Sequence, residues 1–494
     1  MTSRAPQKPS VIIIGTGFGG LGMAIQLKKA GYGQITLLEK EGAVGGTWRD
    51  NTYPGAACDV QSHLYSYSFE PKHDWSRKFG LQAEILGYME HCVHKYDLAR
   101  HIEFDRAVAT ASFDSQSNEW VVGTESGHEY RADVLITATG QLNRPAIPAI
   151  PGIDRFKGTC FHSARWNHDY DVTGKRVAVI GTGASAIQFV PEITPKVAAL
   201  DLYQRSAAWV LPKADRPFTA LEQSLFRKLP AWDRLYRAMI YWKNESRGLA
   251  FTRFNRLLDI FARQARKEAQ TWVTDPHKLK HIIPDYRIGC KRILISNDWY
   301  PAINQPHLNL ITEGISEIDE TGVVTSTGEH RPVDAIIFGT GFKATEFLSP
   351  IKITGRQGVA LNDAWADGSK AFKGITVNGF PNLFMLYGPN TNLAHNSILF
   401  MLESQFRYVI SSLDSLARYP GAAMEVREDR QSRYCQVVQH SLENSVWDSG
   451  CTSWYLDEHG RNTINWPGFT FSYRFSTRAA DTADYQFLEP EAGR

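Results

Sequence analysis

Two glycine-rich turns, each set between a short apolar β-branched run and a helical pattern, predict an α/β fold with two Rossmann-like dinucleotide-binding domains. A third observation separates the two units. Residues 220–270 carry helical spacing with no counterpart after the first turn, so a helical insertion is expected in the second domain. The chain of 494 residues is 43% hydrophobic and 21% charged, enough for a sizeable core in about three domain-sized units. A formal charge of +2 and the lack of a long basic run exclude a nucleic-acid partner.

The six cysteines (58, 92, 160, 290, 435 and 451) are scattered without a C-x-x-C pair, so reduced thiols and a cytoplasmic location are expected. The polar start is followed only by VIIIG, too short for a signal peptide. No apolar run is long enough for a bilayer, and no integral membrane association is expected.

Val11 to Ile14 reads as a buried parallel strand. Gly15, Gly17 and Gly20 follow at G-x-G-x-x-G spacing, then a helical pattern, a second strand at Ile35 to Leu38, and Glu39 at its end. Glycines let the backbone approach a pyrophosphate, the helix N-terminus supplies positive potential, and the carboxylate accepts ribose hydroxyls. Gly42 to Asp59 is an irregular glycine-rich loop beside this site, in which Asp59 taken alone reads as a turn or capping aspartate. The aromatic run His63 to Phe69 suits core packing or a cofactor wall equally. Glu84 to Tyr96 has helical spacing, Ile102 to Val122 alternates like antiparallel strands, and Asp133 to Gly140 is a further buried strand. The proline-rich RPAIPAIPG then marks a crossing between domains.

After Phe156 to Asn167 the first pattern repeats, with Gly181, Gly183 and Ala186 behind the strand at Arg176 to Ile180. The next strand ends in Gln204, Arg205 and Ser206 instead of an acid. A carboxylate there would repel a 2′-phosphate that Arg and Ser can pair, so NADPH is expected over NADH. In the insertion, Leu225, Leu229, Leu235, Met239 and Trp242 form a stripe amid basic residues. Burial of that stripe against the domain is expected, ahead of a membrane-surface helix. Lys291 and Arg292 follow as a cation pair. Val333 to Gly341 mirrors the Asp133 strand and is expected to return the chain to the first domain, where a helix lies near Ile398 to Leu413 and CTSWYLDEHGRNTINWPG is irregular.

Together these motifs resemble the flavoprotein Baeyer–Villiger monooxygenases. Phe156, Gly158, His162 and Trp166 fit that family's F-x-G-x-x-x-H-x-x-x-W fingerprint. Gly45, Gly46, Trp48, Tyr53, Pro54, Gly55 and Asp59 fit its second fingerprint. Asn167, where members commonly carry Pro or Asp, departs from it. The ending SWYLD…GRN…WPG is similar to the 4-hydroxyacetophenone monooxygenase side of the family.

The resemblance implies domains at 1–145 (FAD, first part), 146–215 (NADPH, first part), 216–285 (insertion), 286–335 (NADPH, second part) and 336–494 (FAD, second part). FAD would lie on Gly15, Gly17, Gly19 and Gly20 with Glu39 at its ribose, and Thr47, Trp48, Arg49, Asp50, Tyr65 and Val108 would line it. NADPH would contact Ala57, Cys58 and Asp59, then Thr182, Gly183, Ala184, Ser185, Ala186, Ile187 and Gln188, and finally Arg205, Ser206, Lys291, Arg292 and Trp454. Arg292 matches the family's catalytic arginine, with Asp59 holding it. The implied reaction converts ketones to esters or lactones with dioxygen through a flavin peroxide, with sulfoxidation as a side activity and no metal. His162, without an acid partner, reads as a hinge residue and not as a general base. Two alternatives stay open: a monooxygenase acting on nitrogen or sulfur, and a non-catalytic nucleotide-binding redox sensor. A disulfide reductase lacks its close cysteine pair.

Overall fold

The computed structural model describes residues 8–252, 254–443 and 445–491. Two five-stranded parallel sheets form its frame. The first runs Leu383–Met385, Val134–Thr137, Val11–Ile14, Ile35–Leu38 and Ile102–Glu103 in spatial order. The second runs Leu308–Ile311, Ala199–Tyr203, Arg176–Ile180, Ala335–Phe338 and Thr159–His162. All four residues of Val11–Ile14, Val134–Thr137 and Ala335–Phe338 are buried. Continuous apolar runs are required there because both faces of such a sheet are covered. Beside the first sheet, Val108–Asp114, Glu119–Thr124 and Glu129–Ala132 pair antiparallel.

The Ala335–Phe338 strand does not return the chain to the first sheet, as its sequence led us to expect. It lies between Arg176–Ile180 and Thr159–His162 in the second. Four apolar residues specify a buried strand but not which sheet takes it. The return comes after Gly341. There the chain runs beside the proline-rich crossing. Ala146 N donates to Gly341 O (2.9 Å), Lys343 N to Arg144 O (3.0 Å) and Thr340 Oγ1 to Ala146 O (2.6 Å). Arg144 and Glu346 add an ion pair at 2.5 Å. Within the fingerprint Phe156 to Asn167, Thr159–His162 is an edge strand of the second sheet.

The insertion holds helices at Ala220–Lys228, Pro230–Thr252, Leu258–Trp272 and Pro276–Ile282. The first opens with a capping box between Thr219 and Glu222. The Pro230–Thr252 helix faces the protein with polar groups. Asp233 meets His73 (3.0 Å) and His63 (3.4 Å). Glu245 accepts from Asn396 Nδ2 (2.6 Å) and from the backbone and hydroxyl of Thr470 (2.6 and 2.8 Å). With those anchors inward, the stripe expected to be buried (Leu225, Leu229, Leu235, Met239 and Trp242) points outward, every member exposed.

The cysteine expectation also needs correction. Cys290 and Cys451 form a disulfide with Cα atoms 6.3 Å apart, and Cys58, Cys92, Cys160 and Cys435 are free. A separation of 161 residues leaves no spacing signal by which sequence could pair them.

Candidate functional site

A single cavity of about 1510 Å³ opens between the carboxyl ends of the two sheets' first strands. On the first side, Gly15 has φ +101°, and a Cβ there would sit 2.8 Å from Ala138 O. Gly17 differs: among the described residues nothing lies within 4 Å of where its Cβ would be. Packing does not demand glycine at 17, whereas a ligand held against the backbone at the start of the Phe18–Lys29 helix does. The Gly45–Gly46 loop closes over this turn, Gly45 N donating to Thr16 O (3.1 Å).

Glu39, almost fully buried at its strand end, accepts from Thr16 N (3.0 Å), Thr16 Oγ1 (2.6 Å) and Arg49 Nη1 (3.0 Å). Arg49 Nε in turn donates to Asp50 Oδ1 (2.8 Å), and Trp48 Nε1 to Tyr65 OH (3.2 Å). Thr47, Trp48, Arg49, Asp50, Tyr65 and Val108 all line the cavity, as do Gly15, Gly17 and Gly19. Gly20 does not. Its Cβ would fall 1.9 Å from Gly15 O, so it serves helix-to-strand packing.

On the second side, Thr182, Gly183, Ala184, Ser185 and Gln188 line the wall. Ala186 and Ile187 turn into the core beneath it. Gln188 Oε1 accepts from Tyr53 OH (3.1 Å) and Ala57 N (3.2 Å), while its amide donates to Ala57 O (3.0 Å). One side chain on the second unit therefore fixes the loop carrying Ala57, Cys58 and Asp59. Lys291 Nζ donates to Ser206 Oγ (2.9 Å) beside Arg205. Burial, then the neighbouring Arg205 charge, lowers the Lys291 pKa. Two cations that repel each other across a concave wall fit a dianionic phosphate.

Arg292 donates through Nη2 to Asp59 Oδ2, closing an ion pair between the two sides of the cavity. Burial alone would raise the Asp59 pKa. The Arg292 charge and hydrogen bond, helped by Lys213, override it and hold the carboxyl below the usual range. Asp59 in turn raises Arg292 above its ordinary value despite burial. The guanidinium thus stays charged with further N–H groups free of this bond. Burial pushes the Cys58 thiol up, so it stays protonated and unreactive.

Tyr387 on the wall had no role assigned from sequence. Tyr387, whose charge environment includes Arg292 and Asp59, donates its hydroxyl to Asn392 Oδ1 (2.6 Å) and receives at its carbonyl a bond from Gln141 Nε2 (2.9 Å). Nothing local in the sequence ties Tyr387 to Arg292, 95 residues earlier, or to Asp59. Trp454 lines the cavity, its ring tilted against Tyr455 at 4.5 Å between centroids, and Tyr455 also neighbours Arg292. His162 does not reach the cavity wall. It is buried, its Nδ1 accepts from Ala164 N (3.1 Å), and burial lowers its pKa to about 4. The neutral ring lies behind the wall, edge-on to Phe342 at 5.7 Å, and has no carboxylate partner among the bonds it makes.

The flavin-binding monooxygenase-like family matches residues 8–247. A Baeyer-Villiger monooxygenase of Pseudomonas aeruginosa is 46% identical over 486 residues, covering 98% of this chain and 92% of its own. Among solved structures, an oxidized steroid monooxygenase bound to NADP superposes with TM-score 0.87 and 31% identity, covering 98% of this chain and all of the other. The OTEMO complex with FAD and NADP gives TM-score 0.85 at 26% identity, covering 97% of this chain and 100% of that one.

Proposed function

The chain belongs to the Baeyer–Villiger monooxygenases, flavin-binding monooxygenases by family, and from that premise we propose that it inserts oxygen from dioxygen beside a ketone carbonyl, giving an ester or lactone. The observation that carries this reading is the Asp59–Arg292 pair, set between two nucleotide turns and facing their shared cavity. FAD, when bound, supplies the centre that activates dioxygen, and NADPH supplies the hydride that reduces it.

The protein's own groups provide the rest. Gly15, Gly17 and the helix start behind them hold one pyrophosphate, and Glu39 holds its ribose. Arg205, Ser206 and Lys291 hold the 2′-phosphate that distinguishes NADPH. Arg292 offers its remaining N–H groups to the carbonyl oxygen, which becomes negative as an oxygen nucleophile adds to the carbonyl carbon. Asp59 fixes the orientation of that guanidinium. Burial keeps Tyr387 and Tyr455 protonated, so neither neutralises the guanidinium beside it. The walls exclude water from the reacting atoms.

The FAD unit joins the chain before the proline-rich crossing to the chain after Gly341, and the NADPH unit lies between, interrupted by the insertion at 216–285. A cytoplasmic location suits a reaction that draws on NADPH, and no helix among the described residues is long and apolar enough to cross a membrane.

The test is product analysis with the purified holoenzyme, NADPH, isotopically labelled dioxygen, and a panel of aromatic, linear and cyclic ketones. Labelled ester or lactone is the expected result. Amine N-oxide or sulfoxide formation with no ester from any ketone would move the assignment to nitrogen or sulfur oxygenation. NADPH consumption that no substrate stimulates would favour the redox sensor.

A further inference from the structure

The Pro230–Thr252 helix is built inside out. Its protein-facing side holds Asp233, Asn244 and Glu245, all buried, while Trp232, Leu235, Met239 and Trp242 lie outward at spacings of three and four residues. Leu235 is 51% and Trp242 59% exposed. The apolar surface continues onto the Thr470–Ser476 helix. Phe471 packs its ring 6.2 Å from Trp242, and Phe475 is 68% exposed one turn further on. The preceding helix adds Leu221 and Leu225 to the outward surface. An apolar surface of this extent is unusual on the outside of a protein that functions alone in water.

Charge identifies what covers it. Every exposed charged residue on the Ala220–Lys228 and Pro230–Thr252 helices is a cation: Arg227, Lys228, Arg234, Lys243 and Arg247. The acids are withdrawn. Asp233 and Glu245 are buried, and half-buried Glu222 is paired with Arg216 at 2.6 Å. A second copy of the chain is a poor occupant, because two-fold pairing of this face would bring five cations against the same five. A lipid surface has no such conflict. Tryptophan and long aliphatic side chains flanked by lysine and arginine are the composition that settles at the boundary between acyl chains and anionic headgroups.

We propose that the outward face of the Pro230–Thr252 helix, with Phe471 and Phe475, docks the enzyme on the surface of an anionic membrane. The apolar side chains enter the headgroup boundary, and the cations meet lipid phosphates. Among the described residues no helix is long and apolar enough to span, so association through this face is peripheral and weakens as salt is raised.

The experiment is co-flotation of the FAD-loaded enzyme with vesicles of phosphatidylcholine alone and of phosphatidylcholine mixed with phosphatidylglycerol. Partition onto the anionic vesicles is expected to be at least about tenfold stronger at low salt, and to collapse towards the neutral value at high salt. The variant Met239→Glu/Trp242→Glu should lose binding to both vesicles. Arg234→Glu/Lys243→Glu should lose only the anionic preference. Both substituted pairs lie off the cavity wall, so unchanged NADPH oxidation in solution certifies their fold. The proposal is overturned if the parent enzyme floats with neither vesicle, or if flotation ignores both variants. It is overturned equally by a dimer in analytical ultracentrifugation that the Met239→Glu/Trp242→Glu variant dissociates, for then a second copy owns the face.

Discussion

Replacing Arg292 by alanine separates oxygen transfer from cofactor binding. Arg292 donates to Asp59 through one of its five N–H groups, and the side chain is 33% exposed, towards the cavity. Loss of one such donor to a developing oxyanion costs about 2.7–4 kcal/mol, so ester formation should fall about 10²–10³-fold. The effect on folding is far smaller. Asp59 is 32% exposed, towards the cavity, so solvent there offsets much of the cost of breaking the pair. With Arg292 gone, burial dominates at Asp59 and its pKa rises. The carboxylate then gains nothing by being present, so adding Asp59→Asn to Arg292→Ala should cost little beyond the single change, the non-additivity of a coupled pair. Ester formation would be followed by gas chromatography, and flavin reduction by anaerobic stopped-flow absorbance. Reduction should stay within about threefold, since no donor at the developing oxyanion takes part in it. Ester formation within about tenfold of the parent, or a loss of flavin reduction equal to the loss of ester, would refute the assigned role.

Lys291→Ala should raise KM for NADPH about 10–100-fold and leave KM for NADH unchanged, because a charge-assisted hydrogen bond is worth about 1.5–3 kcal/mol. Equal changes for both nucleotides would remove Lys291 from the 2′-phosphate. His162 gives a pH signature. Its ring is neutral in the folded chain down to about pH 4, whereas the unfolded chain takes up a proton below about 6.5. Stability should therefore fall by about 3 kcal/mol between those limits as pH drops, and urea midpoints of His162→Gln should lack that loss. Reducing the Cys290–Cys451 disulfide releases a loop of 161 residues, for which chain entropy sets an upper limit of about 5 kcal/mol. Alkylation of the unreduced, denatured chain should modify four cysteines, and the Cys451→Ser variant should unfold at lower urea.

The nucleotide turns were legible because their signal is local. Strand, glycines, helix and acid fall within about 30 residues, and each residue type answers one physical demand. Glu39 and the Arg205–Ser206 end could be placed by counting along the chain. Asp59 and Arg292 could not, since 233 residues separate them, and only the family resemblance joined them. The Cys290–Cys451 bond had no such aid and was missed for the same reason. The insertion misled differently. Its apolar period was correctly read as helical, but period says where the apolar side lies and not which side meets the protein. The inward anchors Asp233 and Glu245 depend on His63, His73, Asn396 and Thr470, none of which is near in sequence. The same limit applies to Ala335–Phe338, whose four residues suit either sheet.

The two crossings that run side by side at residues 144–146 and 340–346 have a mechanical consequence. A body hung from one strand can swivel about it. A body hung from two strands bonded to each other can only fold along the line they share. The bonded crossings therefore resist a twist of the second sheet against the first more than a tilt towards it. Asp59 and Arg292, carried on opposite leaves, part or meet along that single arc. The disulfide acts as a stay across the leaves, joining the residue before Lys291 to the residue before Thr452, both on the cavity wall. Any swing of the leaves is then short and about one axis, which returns the guanidinium to the same position.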